Sequence, residues 1–156
     1  MKTIRFAMPA AAALLVVRLS GCDSAPPTVG TKVTFATVCD KVNEDKRVAL
    51  EGYLDFPAQF KGKDITIMMR LRAAPFATEN VVGASVKLGT GPNHVEKPPR
   101  SFTAKDLKVT TNDGKTVGYA DRVRVSGTMY YPIVSSVEFK CGLSNTLVES
   151  ARAAGK

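Results

Sequence analysis

The side chains able to do chemistry in this sequence fall into a few small groups, and most of them stop short of a working site. His94 is the single histidine of 156 residues, so no Ser-His-Asp triad can form without it and no multi-histidine metal centre can form at all. His94 and Glu96 offer two ligands in a proline-rich loop; two ligands make a weak site, and a solvated loop histidine is the better account. Gly89-Thr90-Gly91-Pro92-Asn93 has the glycines of a phosphate cradle but lacks the Gly-Lys-Ser/Thr that would complete it. Asp40 to Asp45 lacks the one-three-five oxygen ligands and the turn glycine of a calcium loop. No Gly-x-Ser-x-Gly elbow occurs. The expectation is a chain that is not an enzyme and carries no cofactor and no metal.

Three cysteines hold the remaining covalent chemistry. Cys22 closes the segment Leu19-Ser20-Gly21-Cys22, which follows a positive start at Lys2 and Arg5 and an apolar run from Phe6 to Val17. That run is too short to cross a bilayer. The arrangement resembles the lipobox of bacterial lipoproteins. The resemblance implies that residues 1–21 are a signal peptide, that the Cys22 sulfur takes a diacylglycerol, and that Cys22 becomes the first residue of the mature chain. Two or more acyl chains give stable anchoring where one holds only marginally. The expected location is therefore the bacterial cell envelope, lipid-anchored and facing the periplasm. Asp23 resembles the sorting residue that keeps enterobacterial lipoproteins at the inner membrane. Cleavage would remove three of 22 basic residues and none of the 14 acidic ones, leaving 19 against 14 and a net charge of +5. That balance favours anionic surfaces or acidic partners, although a solvated surface rich in lysine explains it more simply.

In an exported chain the other two cysteines, Cys39 and Cys141, are expected to form a disulfide. It would close a loop of about 100 residues and contribute roughly 4 to 5 kcal/mol in the chain-entropy view. A redox pair lacks its CxxC spacing, and two separately buried thiols are the other reading.

These residues need a scaffold, and 44% hydrophobic with 23% charged residues is the composition of one ordinary core. Residues 22–31, with Pro26 and Pro27, read as an acylated tether, and residues 32–156 as the folded domain. A helical turn is expected within Val38 to Lys46. Arg47 to Leu54 alternates as a strand, with Gly52 suggesting a bulge. Asp64 to Ala73 is the clearest strand, with Ile65, Ile67, Met69 and Leu71 on one face and Thr66, Met68, Arg70 and Arg72 on the other. Val82 to Gly89 makes a third. Pro92, Pro98 and Pro99 mark Gly91 to Ser101 as loop. Phe102 to Val109 begins as a turn capped by Ser101 or Thr103 and becomes extended. Asn112-Asp113-Gly114 signals a tight hairpin. Asp121 to Met129 alternates again, and Val137 to Val148 holds the last strand pieces.

Five or six strands with at most short helices predict an all-β protein, a small Greek-key barrel. Asp121-Arg122-Val123-Arg124-Val125-Ser126-Gly127-Thr128 resembles the Asp-x-Val-x-Val-x-Gly strand of OB-fold domains, Arg47 to Leu54 the first OB strand with its glycine, and Cys141 to Glu149 the closing strand. The resemblance extends from Val38 to Ser150 and is strongest with small exported bacterial OB-fold proteins. A β-sandwich of immunoglobulin type is the alternative, although the tryptophan expected between its cysteines is missing.

OB barrels bind ligands on the outer face of strands two and three, between the one-two and four-five loops. The resemblance therefore implies a candidate ligand face of Arg70 and Arg72, with Phe56 and Phe60 from the loop at 55–63, which also carries Lys61 and Lys63, and Tyr130 and Tyr131 from the other loop. Basic groups beside aromatic rings suit an anionic or glycan ligand. The competing reading gives Phe56 and Phe60 to the barrel ends and the arginines to edge protection. Three functions stand open: a membrane-anchored periplasmic binding or interaction module, a structural or envelope-stress accessory lipoprotein working through contacts with an envelope protein, and surface nucleic-acid binding, which the compartment disfavours.

Overall fold

A computed structural model of the chain describes residues 27–60, 65–133 and 138–151. The signal segment, Cys22, Asp23 and the first half of the tether lie outside the described residues, as do Lys61, Lys63 and Val137. Among the described residues nine strands run in the order β1 (Thr31–Lys32), β2 (Arg47–Asp55), β3 (Thr66–Arg72), β4 (Val82–Leu88), β5 (His94–Val95), β6 (Val109–Thr110), β7 (Thr116–Val117), β8 (Arg122–Tyr130) and β9 (Gly142–Ser150). Among the described residues the helices are two 3-10 turns, Lys41–Asn43 and Ala104–Asp106.

Five strands close on themselves. β2 pairs antiparallel with β3 and β8, β3 with β4, and β8 with β9, while β4 and β9 meet in parallel. This is the OB-like Greek-key barrel expected from the strand count and the OB-fold resemblance, and the sandwich alternative falls away. Closure leaves few edges for another chain to pair with. Inside it, Val48, Leu50, Ile67, Met69, Leu71, Val86, Val125 and Leu143 are buried, each at an alternate position of its strand.

Three sequence expectations need correction. β2 keeps an unbroken register with β8 from Arg47↔Thr128 to Tyr53↔Arg122, so Gly52 is not a bulge. A Cβ at Gly52 would collide with the Arg72 carbonyl oxygen; the glycine lets two strands approach. The bulge is in β9, where Asn145 and Thr146 together oppose Gly127. Ile65 is 85% exposed rather than part of the core, because β3 begins one residue later. The stretch Gly91 to Ser101 is not all loop: β5 pairs with β4 and β6, and β6 with β7, forming a small antiparallel appendage beside the barrel.

The hairpin turn at Asn112-Asp113-Gly114 joins β6 to β7, with Gly114 at φ 77. The second 3-10 turn is closed by a reciprocal Thr103–Asp106 capping box. Cys39 and Cys141 are disulfide-bonded, with Cα atoms 5.5 Å apart and a sequence separation of 102. The bond ties the approach to the first barrel strand to the residue that opens β9. Thr31, expected in the tether, is in β1, and Gly30 packs on the Val48 backbone.

Candidate ligand-binding cleft

Pro57 and Pro132 end the ladders of β2 and β8, because proline supplies no amide hydrogen. The described residues that follow, Pro57 to Gln59 on one side and Pro132, Glu138 and Phe139 on the other, line a cleft of about 500 Å³ on the outward side of β3. Met68 forms part of its lining, with Gln59, Tyr130, Pro132 and Phe139 around it. Two glycines make room for the rings. A Cβ at Gly142 would stand 2.7 Å from the Tyr130 ring, and one at Gly83 would stand 2.7 Å from the Phe139 ring. The Tyr130 hydroxyl lies 3.9 Å from Met68 Sδ, and burial raises the phenol above the ordinary tyrosine value. Among the described residues the lining is chiefly ring, thioether and proline, with Glu138 as its one charged group.

The arginines expected to project into solvent are engaged with the protein instead. Arg70 Nε donates to the Phe56 carbonyl at 2.6 Å, and its Nη1 lies 3.4 Å from Glu138 Oε2. Arg72 is buried; its Nε lies 3.3 Å from Asp55 Oδ2 and its Nη1 donates to the Ala77 carbonyl. The Arg72 Nε contact is an ion pair without hydrogen-bond alignment. Asp55 also lies 3.9 Å from Arg70 Nε, so one carboxylate serves two guanidinium groups.

The aromatic candidates divide in the same way. Phe56 is 2% exposed and meets Phe102 edge-on at 4.9 Å, which makes it core. Phe60 packs half-buried against that core. Tyr131 donates to the Cys39 carbonyl at 2.7 Å and carries Lys41 Nζ 5.5 Å from its ring centre, so it fastens its loop to the disulfide. Tyr130 is the one member of the candidate face that lines the cleft, and Arg70 reaches its edge through Glu138. Sequence reasoning placed Met68 on the outer ligand-presenting face with Thr66, Arg70 and Arg72 without naming it as a contact residue, and it missed Phe139 and the two prolines. Their signal was present in the pairing of ring-bearing loop residues with the strand glycines Gly83 and Gly142.

No family model matches the chain, and no curated protein matches it. Among solved structures, a protein provisionally assigned as an aspartyl-tRNA synthetase from Leishmania major Friedlin is similar at 14% identity with a TM-score of 0.42. That similarity covers 93% of this chain and 24% of the other, so this chain spans about a quarter of that protein's length.

Proposed function

We propose that this chain is a lipid-anchored periplasmic binding protein whose OB-like barrel takes its ligand in the cleft between the β2–β3 and β8–β9 loops. The observation that carries the reading is the ring-lined cleft itself, on the outward side of β3. Its chemistry narrows the ligand. Among the described residues, with Arg70 and Arg72 held by Asp55, Glu138 and backbone carbonyls, the cleft offers ring faces and a thioether rather than a row of cations. That suits the apolar face of a glycan ring better than a polyanion, and it disfavours nucleic acid, which needs cations along a backbone track. The anchor in this reading rests on the segment ending in Cys22.

Contact with an envelope protein is the second reading, favoured by Ile65 and Ile133, two large apolar side chains exposed in these same loops. A titration of the full chain in detergent separates the readings, using neutral and acidic oligosaccharides and single-stranded DNA at low and moderate salt. Saturable glycan binding, weakened about tenfold by Tyr130→Ala as expected for loss of one stacking ring, supports the proposal. DNA binding with a steep salt slope contradicts it, and silence toward every glycan with the fold intact hands the cleft to a protein partner.

A further inference from the structure

The pockets on the outside of this barrel differ in whether a carboxylate stands in their lining. The cleft around Arg124 and Lys115 is also lined by Glu51, Asp113 and Glu149, and Arg124 Nε and Nη2 both lie 2.9 Å from Glu149. The ligand cleft above carries Glu138 opposite Arg70. A third pocket, of about 420 Å³, opens further along the same outward side of β3 and β4, and among the described residues its lining contains no carboxylate. It joins the ligand cleft directly, since Ser85 in its wall is the register partner of Met68.

This pocket forms where the parallel pair β4–β9 separates beyond Ala84↔Leu143. Side chains bridge the gap: Thr146 Oγ1 donates to the Ser85 carbonyl at 2.6 Å, Asn93 Nδ2 donates to the Thr146 carbonyl at 2.6 Å, and Asn93 Oδ1 accepts from the Val148 amide at 2.7 Å. Those bonds fix the walls. The groups left facing the opening are Thr66, Ser85, Lys87, His94, Asn112 and Asn145, whose side chains carry hydroxyl, ammonium, imidazole and amide groups. Among the described residues Lys87 has no acidic partner, and neither does Arg47, whose Nη1 donates to the Asn145 carbonyl at 2.9 Å just behind the rim. His94 Nδ1 lies 2.7 Å from the Pro92 carbonyl, which can only accept, so Nδ1 carries the hydrogen and Nε2 is left for a ligand.

We infer that this pocket is an anion subsite for a hydroxyl-bearing ligand, a phosphorylated or otherwise acidic sugar or polyol, with Lys87 meeting the anion and Asn112, Asn145, Ser85 and His94 meeting hydroxyls. The inference rests on the proposed binding function and extends it along the same face. One chemistry admits two sources. Pro27 lines the pocket and stands five residues after Cys22, a reach of at most about 17 Å, so an anchored chain would hold the pocket near lipid headgroups as well as open to free glycans.

Because His94 is the only histidine, its imidazole signal reports on this pocket alone. The test follows that signal in the full chain in nonionic detergent, with the Met68 methyl signal reporting on the neighbouring cleft. Glucose 6-phosphate, glucose and inorganic phosphate are added in turn, and phosphatidylglycerol or phosphatidylcholine is added to the micelle. The expected result is a saturable His94 shift with glucose 6-phosphate that Lys87→Gln weakens about tenfold and Lys105→Gln, an exposed lysine outside both pockets, leaves unchanged, matching loss of one charge-assisted contact. A response to phosphatidylglycerol and not phosphatidylcholine assigns the headgroup as source of the same chemistry and also supports the inference. A Met68 response to sugars with a silent His94 overturns the subsite and leaves the cleft standing. Silence at both residues overturns the subsite and argues against the cleft for these probes.

Discussion

Asp55 stands between Arg72, at 3.3 Å, and Arg70, at 3.9 Å, where β2 gives way to its loop. Removing it would leave the buried Arg72 guanidinium without its acid, and breaking a buried pair from one side costs more than replacing both members. Asp55→Ala is expected to lower stability by about 3 kcal/mol, read as a fall in the urea midpoint. Arg72→Met together with Asp55→Ala should be milder than Asp55→Ala alone. Asp113 gives a second test. Its carboxylate accepts from Thr111 at 2.6 Å and Ser150 at 2.9 Å and lies 3.2 Å from Lys115 Nζ, which hold its pKa well below the usual carboxylate range. A depressed pKa means stability that is present above the unfolded value and lost as the pH falls toward the folded one. Asp113→Asn should therefore flatten the decline in urea midpoint between about pH 4 and about pH 2, and an unchanged slope would count against these bonds. Alternation predicted Arg72 outward with Arg70. The neighbouring chain decided otherwise, because at that end β3 has β2 on one side and β4 on the other and its own connecting segment folds over Arg72 at Ala77.

The elements are held in register by glycines where a strand or a ring must come close. At Gly52 the obstacle to a Cβ is backbone, so Gly52→Ala should cost about 1–3 kcal/mol by forcing β2 and β3 apart. At Gly142 the obstacle is the Tyr130 ring, which can turn away. Gly142→Ala is therefore expected to weaken cleft binding more than it lowers the unfolding midpoint, a contrast that titration and urea unfolding of one variant would settle. Strong period-two runs at Ile67 to Leu71 and Val123 to Val125, and the turn at Asn112-Asp113-Gly114, were legible because each answers to local chemistry. The two-residue strands β5, β6 and β7 were not, since so short a run has no period and forms only because the barrel offers an edge. The β9 bulge was equally silent, being a relation between Gly127 and two residues of another strand.

Across the whole molecule one covalent link spans most of the folded chain. The Cys39–Cys141 loop of 102 positions should contribute about 4–5 kcal/mol by restricting the unfolded chain, so Cys141→Ser or reduction should lower the thermal midpoint markedly without changing the strand content seen by circular dichroism below it. The pairing was legible from the number of cysteines left after Cys22 and from the expected compartment. The cleft was legible only in part: the barrel type located the face, but which side chains reach it depends on loops whose rings settle over Gly83 and Gly142. The most direct test of that cleft is an amide shift map of the full chain saturated with the tightest-binding oligosaccharide of the panel. The account predicts changes concentrated at Ala58, Gln59, Met68, Tyr130 and Phe139, continuing toward Ser85 and Lys87. Changes centred instead on Arg124 and Glu149, on the outer side of β8 and β9, would contradict it.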